Sequence, residues 1–365
     1  MHTHPDASDR DTLLVTGGAG FIGGRFVEQL LADTGVRVVN LDLLTYAGNL
    51  DSIPYALAHP RHTFVRGDIG DRGLVRELLE THRPRAVIHF AAESHVDRSI
   101  DAPAAFAATN VLGTVELLSA TLAYWQALDA PARGSFRFLS VSTDEVYGSV
   151  ESGAADERSA FAPNSPYAAS KAAADHFVRA FHHTYGLPVL TTHGPNTYGP
   201  AQFPEKLVPL MILNALERRP LPVYGDGGNV REWLHVADHA RAIRCVLAEG
   251  TPGAVYPVGG GTARTNLELV RAIRDTVERL VPDGDGASRA PIQFVADRPG
   301  HDRRYAVDAA SMRALGWAPG VELDAGLEET VRWYLENPTW IERVTRGSLT
   351  TGGYRRERLG TGLAG

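Results

Sequence analysis

The sequence predicts an α/β fold, a doubly wound parallel sheet followed by a smaller C-terminal α/β lobe. From residue 12 to about residue 195, short apolar runs of strand length alternate with segments whose apolar residues recur at helical spacing. Beyond that point Pro- and Gly-rich loops interrupt the pattern. Strands that alternate with helices form parallel sheets, because each helix carries the chain back across the sheet. With 365 residues, 44% of them hydrophobic, the chain is long enough to build such a core.

The elements follow in order along the chain. The run TLLVTG at 12–17 ends in glycine and precedes a segment of helical spacing, which predicts a strand, a turn and a helix. Further buried strands are predicted at 37–42, 62–68, 86–92, 136–143 and 188–194, with helical segments such as NVLGTVELLSATLAYW between them. Four more helices are predicted at 206–219, 238–249, 266–281 and 324–336. We therefore expect a sheet domain at 11–195 with short returning segments, a lobe at 196–340, and flexible ends at 1–10 and 345–365.

Composition excludes several classes of function. A formal net charge of -7 without a basic stripe argues against nucleic-acid binding. The sequence shows no run of about 18 apolar residues, which argues against a membrane span, and the polar start MHTHPDASDRD lacks a signal core, so we expect a cytoplasmic protein. The single cysteine, Cys245, cannot form an internal disulfide, and 14 histidines without HExxH spacing predict no metal site.

A glycine-rich motif, TGGAGFIG, lies between the first predicted strand and helix, with Gly17, Gly20 and Gly23 in a GxxGxxG arrangement. Glycines at such a turn let the backbone and the helix N-terminus approach a pyrophosphate, as in Rossmann-type dinucleotide-binding folds. Asp42 ends the second strand nineteen residues after Gly23, where such folds place a carboxylate on the ribose hydroxyls. A carboxylate repels a 2'-phosphate, so NAD is favoured over NADP, and Asp68 is a candidate contact to the adenine amino group.

A second motif, YAASK, places Tyr167 and Lys171 four residues apart on one face of a predicted helix. A lysine near the phenol lowers its pKa, so that a phenolate can accept a hydroxyl proton while a hydride leaves the carbon. The segment SVSTDE ends the preceding strand. Together with the glycine motif, this spacing predicts a nicotinamide-dependent active site.

These motifs resemble the extended short-chain dehydrogenase/reductase superfamily. Within it, the chain resembles the dTDP-glucose 4,6-dehydratase family over roughly residues 12–340, in blocks that include LDLLTYAGN, HFAAESHVDRSI, VSTDEVYGS, NSPYAASKAAADH, FPEKLVPLMILNAL, LPVYGDGGNVREWLHVADHARA and DRPGHDRRYAVD. The Thr-Asp-Glu triplet at 143–145 is the most diagnostic part. The resemblance implies a lyase that dehydrates a nucleotide hexose with tightly bound, recycled NAD, and a homodimer that pairs through two helices per subunit.

The resemblance also implies roles for the site residues. Tyr167 would take the C4 hydroxyl proton while hydride passes to NAD, and Thr143 would hydrogen-bond the C4 oxygen. Glu145 would remove the C5 proton, which the C4 ketone makes acidic, and Asp144 would protonate the departing C6 hydroxyl before hydride returns to C6. The remaining cofactor residues would be Phe21, Ile22, Ile69 and Ala91. The nucleotide-sugar residues would be Ser94, Asn196, Lys206, Leu207, Tyr224, Arg231, Asn266, Arg298 and His301, with both arginines on the diphosphate.

One stretch departs from the family pattern. Before Tyr-Gly-Pro the chain reads His193, Gly194, Pro195, Asn196 and Thr197, so a second asparagine is lost and a proline stiffens the loop. This departure leaves UDP-glucose or another nucleotide sugar open as the substrate. An epimerase or decarboxylase of the same superfamily would use the Tyr/Lys pair without both carboxylates. A non-catalytic NAD-binding regulator is the third alternative.

Overall fold

The structure, a computed structural model, describes residues 11–282 and 290–348. In these residues a parallel sheet of seven strands runs in the order β10-β6-β5-β4-β1-β2-β3. The sheet confirms the predicted Rossmann-type α/β class. Its strands are β1 Thr12–Thr16, β2 Arg37–Asp42, β3 His62–Arg66, β4 Ala86–His89, β5 Arg137–Thr143, β6 Val189–Gly194 and β10 Val255–Pro257.

Helices cover both faces of this sheet, and two small sheets complete the described chain. The small sheets contain β7 Asn196–Tyr198, β9 Val230–His235 and β11 Ala263–Thr265 in one, and β8 Leu221–Tyr224 and β12 Ile292–Val295 in the other. The helices are α1 Phe21–Asp33, α2 Pro54–Ala58, α3 Arg72–His82, α4 Val96–Asp101, α5 Pro103–Phe106, α6 Thr114–Ala127, α7 Ala130–Ser135, α8 Pro166–Tyr185, α9 Leu207–Leu216, α10 Val236–Glu249, α11 Asn266–Leu280, α12 Ala310–Ala314, α13 Leu323–Glu336 and α14 Pro338–Ser348.

The segments that return to the sheet come from the second half of the chain. Strand β10 adds to the edge of β6, and α10 packs against α1. One apolar core therefore joins Phe26 and Leu139 of the first half to Ile243 and Trp317 of the second. A separate core holds α9, α11 and α13 together around Ile212, Ile273 and Leu327, among other residues. The predicted flexible ends at 1–10 and, apart from its first residues, at 345–365 lie outside the described residues.

One helical stretch bears on the expectation that the chain has no membrane span. The continuous helical stretch Pro103–Ala127, which joins α5 to α6 through a π-helical segment at Ala107–Gly113, is long and apolar enough to cross a membrane by length and composition. The core helix of a soluble protein meets the same criterion. Here α6 packs against α3 and α8, and its residues Leu117 and Leu118 are fully buried, so this stretch is weak evidence for a span.

Candidate active site

The carboxyl ends of the central strands open into one cavity of about 350 Å³. Parallel strands end at the same edge of a sheet, so side chains that follow different strands meet there. Every residue predicted to bind the cofactor or to act in catalysis lines this cavity, as do five of the predicted substrate residues. They are Gly17, Gly20, Phe21, Ile22, Gly23, Asp42, Asp68, Ile69, Ala91, Ser94, Thr143, Asp144, Glu145, Tyr167, Lys171, Asn196, Lys206 and Leu207.

The glycine-rich turn between β1 and α1 leaves no room for side chains. Gly17 has a φ of +74°, and a Cβ there would lie 2.5 Å from the amide nitrogen of Ala91. A Cβ on Gly23 would lie 2.3 Å from the carbonyl oxygen of Gly17. Helix α1 begins at Phe21 without a side-chain cap from Gly20, so its first amide groups are open to the cavity. An uncapped helix start with close backbone approach fits the pyrophosphate of a dinucleotide.

Asp42 and Asp68 lie at the ends of β2 and β3, where the adenosine half of such a ligand would extend. The two oxygens of Asp42 accept hydrogen bonds from the amides of Ala19 at 2.9 Å and Leu44 at 2.8 Å. Each oxygen keeps a second lone pair for a ribose hydroxyl. Asp68 accepts from the amide of Gly70 at 2.8 Å, a turn contact that also leaves acceptor capacity. The donor set therefore fits NAD, with Asp42 at the ribose.

Tyr167 and Lys171 lie on the buried face of α8. Ser165 caps the helix by accepting from the amide of Ala168 at 3.1 Å, which fixes the first turn that carries Tyr167. The tyrosine hydroxyl shares a hydrogen bond with the Thr143 side chain. The ammonium group of Lys171 donates to the carbonyl oxygen of Val141 at 3.0 Å. Both side chains are therefore held against the end of β5.

The pKa of Tyr167 is raised in this structure, whereas the sequence predicts a phenol whose pKa Lys171 lowers. Burial raises the pKa of Tyr167 far above its usual value, and the carboxyl group of Glu145 raises it further, whereas the hydrogen bond from Thr143 lowers it. Burial also lowers the pKa of Lys171, and the charge of Asp175 opposes that effect. Burial disfavours the charged phenolate, and the nearby carboxyl groups of Glu145 and Asp144 add to this effect. A phenolate there needs further positive charge, which an oxidised nicotinamide ring would bring.

Asp144 and Glu145 begin the 3₁₀ turn that follows β5, and their environments differ. Asp144 is 3% exposed, its Oδ2 has no hydrogen-bond partner in the described residues, and Thr143 donates to its Oδ1 at 3.4 Å. Burial, followed by the neighbouring Glu145, raises the pKa of Asp144 well above its usual value. Burial also raises the pKa of Glu145, but Arg298, Arg231 and Lys206 oppose the shift. The pair therefore provides a protonated acid beside a carboxyl group that cations help to ionise.

The two arginines expected on a diphosphate have different surroundings. The guanidinium of Arg231 donates to the carbonyl oxygens of Val230 and Asp302, both at 2.8 Å, and stacks over the ring of Tyr305 at 4.1 Å. Arg231 lines neither of the two cavities described here. Arg298 instead lines the second cavity, and its buried Nε has no hydrogen-bond partner in the described residues.

That second cavity, of about 300 Å³, adjoins the first at Leu207. Tyr224 and Asn266 line it, and the Tyr224 hydroxyl donates to Asp97 at 3.1 Å. His301 lies outside its lining, where its ring meets Tyr224 edge-on at 6.1 Å, and burial lowers the pKa of His301 to about 4. Apolar walls with an arginine and an amide fit a nucleotide base and its phosphates.

The loop that departs from the family pattern lies between the two halves of the first cavity. Asn196 and Pro195 line it, and the side chain of Thr197 meets Nδ1 of His239 at 2.8 Å. On the opposite wall, Lys206 donates to the carbonyl oxygen of Ser94 at 2.7 Å. The structure thus brings Asn196, Lys206 and Ser94 together around the space beside the carboxyl pair.

Sequence reasoning missed several polar residues at the site. The Tyr305 hydroxyl donates to Asp302 at 2.8 Å and lies 3.4 Å from Glu145. The Asn110 side chain, in the π-helical segment, accepts from the Glu93 amide and donates to Ser170 on α8, both at 2.8 Å. A π-bulge often marks a functional position, but no single-sequence pattern predicts one. Tyr305 could have been chosen from the block DRPGHDRRYAVD, because Arg298 and His301 of the same block were chosen as site residues.

Comparisons with known proteins agree with this geometry. The model of the family described as GDP-mannose 4,6 dehydratase matches residues 14–330. A dTDP-glucose 4,6-dehydratase of Xanthomonas campestris pv. campestris (strain B100) is 57% identical over 96% of this chain and 99% of its own length. A dTDP-glucose 4,6-dehydratase 1 of Escherichia coli (strain K12) is 49% identical over 92% of this chain and 96% of its own.

Solved structures give the same result. DesIV, a dTDP-glucose 4,6-dehydratase from Streptomyces venezuelae crystallised with NAD and TYD bound, is 49% identical, with a TM-score of 0.83 over 91% of this chain and 99% of its own. A UDP-glucose 4-epimerase from Thermus thermophilus in complex with NAD is 32% identical, with a TM-score of 0.78 over 89% of this chain and 99% of its own. The two enzymes share the fold but differ in reaction, so the fold does not separate them.

Proposed function

The chain belongs to the GDP-mannose 4,6-dehydratase family, and on this premise we propose that it is an NAD-dependent hydro-lyase that converts dTDP-glucose to dTDP-4-keto-6-deoxyglucose. The observation that carries the proposal is the buried Oδ2 of Asp144, which has no hydrogen-bond partner among the described residues, beside Glu145 in the cavity that Tyr167 and the glycine-rich turn also line. Redox chemistry at C4 needs only the tyrosine and the lysine. A second pair of acid–base groups is needed when water also leaves.

The first task of the side chains is to remove the proton from the C4 hydroxyl. NAD, when bound, would supply a reversible hydride acceptor. The turn at Gly17–Gly23 and the carboxylate of Asp42 would hold it. Tyr167 is the base for the C4 hydroxyl, and Thr143, which hydrogen-bonds the tyrosine, holds the same oxygen. Lys171 stays close to Tyr167 and Thr143 because its ammonium group donates a hydrogen bond to the Val141 carbonyl oxygen.

The second task is the elimination across C5 and C6. Oxidation at C4 makes the C5 hydrogen acidic because it then lies alpha to a ketone. Glu145 removes this proton, since Arg298, Arg231 and Lys206 favour its ionised form. Asp144 protonates the departing C6 hydroxyl, since burial and the neighbouring Glu145 favour its protonated form. Return of the hydride to C6 and of the proton from Glu145 to C5 then gives the 4-keto-6-deoxy sugar and leaves the cofactor oxidised. The roles follow from the environment of each carboxyl group rather than from its residue type.

The nucleotide would occupy the second cavity, with Arg298 on the diphosphate and Tyr224 and Asn266 near the base. The relatives that are 46% to 57% identical to this chain are named dTDP-glucose 4,6-dehydratases, which favours dTDP over UDP as the carrier. The departure at His193–Thr197 leaves Asn196 in the cavity lining. An epimerase is disfavoured because it would not need both Asp144 and Glu145, and a regulator would need none of the acid–base residues.

We further propose a cytoplasmic homodimer that pairs through α6, the segment before it, and α8. Phe177 and Tyr185 of α8 are 41% and 50% exposed, and Leu112 is 63% exposed. Exposed apolar side chains of this size on neighbouring helices suit an interface between copies. Size-exclusion chromatography with light scattering should show a dimer, and Phe177→Glu should shift it to a monomer. A monomeric wild-type protein would contradict this proposal.

The function is tested by mass spectrometry of the purified protein incubated separately with dTDP-glucose and UDP-glucose, without added NAD. We expect dTDP-glucose to lose one water, which requires that NAD co-purifies and is recycled. Loss of water from UDP-glucose alone would reassign the nucleotide. No change in either substrate with NAD supplied would refute the dehydratase, and epimerisation of the hexose would favour the second candidate.

A further inference from the structure

Below the active site, His193 lies in a polar cluster that the proposed mechanism does not use. Its side chain is fully buried on β6, and its backbone pairs in register with Ser142 of β5. Ser142 directly precedes Thr143 and Asp144. His193 therefore lies behind the strand end that presents the catalytic triplet, in the stretch where the sequence departs from the family pattern.

His193 contacts a polar group with each ring nitrogen. Nδ1 lies 2.7 Å from the Tyr147 hydroxyl, and Nε2 lies 3.2 Å from Oδ2 of Asp175. The same Asp175 oxygen accepts a hydrogen bond from the Ser142 hydroxyl at 2.7 Å. The other oxygen of Asp175 has no hydrogen-bond partner within the described part of the chain. The ring edge also packs against Phe161, at 5.6 Å between centroids.

The protonation of this cluster follows from its neighbours. Burial, and then the charge of Asp175, raises the pKa of Tyr147, so its hydroxyl keeps its proton and donates to Nδ1 of His193. A neutral imidazole that accepts at Nδ1 carries its hydrogen at Nε2, because the two nitrogens divide the two roles. Nε2 faces Oδ2 of Asp175 at 3.2 Å but makes no hydrogen bond within the described residues, so the contact between the N–H group and the carboxylate is electrostatic. Tyr147 thus selects the tautomer that stabilises the carboxylate.

Asp175 connects the two halves of the catalytic machinery. It lies one helical turn beyond Lys171 on α8, and its charge raises the pKa of Lys171 against the effect of burial, which is larger and lowers it. Through Ser142 it also holds the strand end from which Thr143 and Asp144 project. A carboxylate that moved would therefore shift both the lysine and the acid.

We propose that His193 is a positioning residue for the dehydration. It holds Asp175 in place, and Asp175 in turn holds Ser142 and Lys171. The inference rests on the proposed dehydratase function. It concerns the Nε2 side of the ring, since this side faces Asp175. Removal of the Nε2 group should therefore slow turnover without weakening substrate binding, because none of the residues in the cluster lines the second cavity, where the nucleotide would bind.

Three variants separate this role from simple packing. His193→Gln keeps a donor near the position of Nε2, His193→Asn keeps a polar group only near Nδ1, and His193→Phe fills the volume with no polar atom. We expect the Gln variant to stay within about 3-fold of wild type, and the Asn and Phe variants to lose roughly 10-fold to 100-fold in kcat with unchanged KM. If the ring served packing alone, Phe would retain activity better than Asn and as well as Gln. His176→Asn is the matched control, since His176 is exposed on α8 and packs against the same Phe161 ring.

Each measurement is made at matched NAD content and below the unfolding temperature of every variant. Asp175→Asn should cause the same loss, and its combination with His193→Asn should cost little more than either change alone, because the two residues act as a unit. Equal kcat in all three His193 variants and wild type, or a change in KM alone, would overturn the inference. A wild-type protein that fails to dehydrate would instead refute the proposed function, so the two failures are distinguishable.

Discussion

Replacement of Asp144 by Asn tests the assignment of the acid most directly. The structure holds this carboxyl group 3% exposed, and burial raises its pKa well above the usual value, which favours the neutral acid. Asn is also neutral and nearly isosteric, and it can still accept the Thr143 hydrogen bond. The substitution therefore removes the proton that leaves with the C6 hydroxyl while it preserves the charge and the packing of the site.

The expected loss is large in kcat and small in stability. A positioned general acid contributes typically 10² to 10⁴-fold to a rate, which is about 3 to 5 kcal/mol of transition-state stabilisation. Among the described residues the side chain makes one weak hydrogen bond, with Thr143 at 3.4 Å, so at low pH, where the carboxyl group is protonated in both the folded and the unfolded state, we expect the free energy of unfolding to change by less than about 1 kcal/mol. The oxidised but undehydrated nucleotide sugar should accumulate, since Tyr167 and Lys171 are intact.

The assay is mass spectrometry of the sugar products together with kcat and KM for dTDP-glucose, with Glu151→Gln on an exposed loop as a control for a carboxyl-to-amide change. Normal dehydration by the Asp144→Asn variant would refute the assignment of the acid. Loss of both oxidation and dehydration, in a folded protein that retains NAD, would place Asp144 in the first step instead.

Stability should also depend on pH through this residue. Because the folded state raises the pKa of Asp144 above 3.8, the native protein binds this proton more tightly than the unfolded chain does. Its contribution to stability is complete below the unfolded pKa and is lost as pH rises through the raised folded pKa. Asn does not titrate, so the variant should gain stability relative to wild type across that window. Urea unfolding at a series of pH values measures the difference, and parallel curves would contradict the shift.

Three further predictions follow from the same site. Gly23→Ala should weaken NAD binding by roughly 10-fold to 100-fold, because the added Cβ would lie 2.3 Å from the Gly17 carbonyl oxygen and force the turn to move. Calorimetry measures the binding. The control is Gly35→Ala, whose Cβ meets nothing within 4 Å and which should show no such loss. Glu145 must be ionised to act, and burial raises its pKa above 4.5, so kcat/KM should fall with decreasing pH through a midpoint above that value; a midpoint at or below it would contradict the shift. Lys171→Met should slow the formation of both the oxidised and the dehydrated sugar, with a loss of about 10² in kcat, and oxidation at the wild-type rate in this variant would remove the lysine from the first step.

Local patterns in the sequence were sufficient for the fold, the glycine-rich turn with Asp42 and the Tyr167/Lys171 pair, whereas the resemblance to the dehydratase family supplied most of the other candidate site residues. The run TLLVTG and the apolar spacing after it predicted β1 and α1 (Thr12–Thr16 and Phe21–Asp33) almost to the residue. Asp42, Thr143 and Gly194 each end a buried strand, and the strands of a parallel sheet end at one edge, so their convergence could be predicted from their places in the sequence. The spacing of Tyr167 and Lys171 likewise placed both on one helical face.

The tertiary structure decided what these patterns leave open, because protonation and contact depend on neighbours far away in the chain. Lys171 was expected to lower the pKa of Tyr167, but burial and Glu145 outweigh it. Arg231 is predicted on a phosphate, and only the tertiary structure shows that its guanidinium also donates to the carbonyl oxygens of Val230 and Asp302. The contact between Tyr305 and Glu145 joins residues 160 positions apart. Motifs determine which groups meet at the strand ends, whereas burial and long-range charge determine which of them hold a proton.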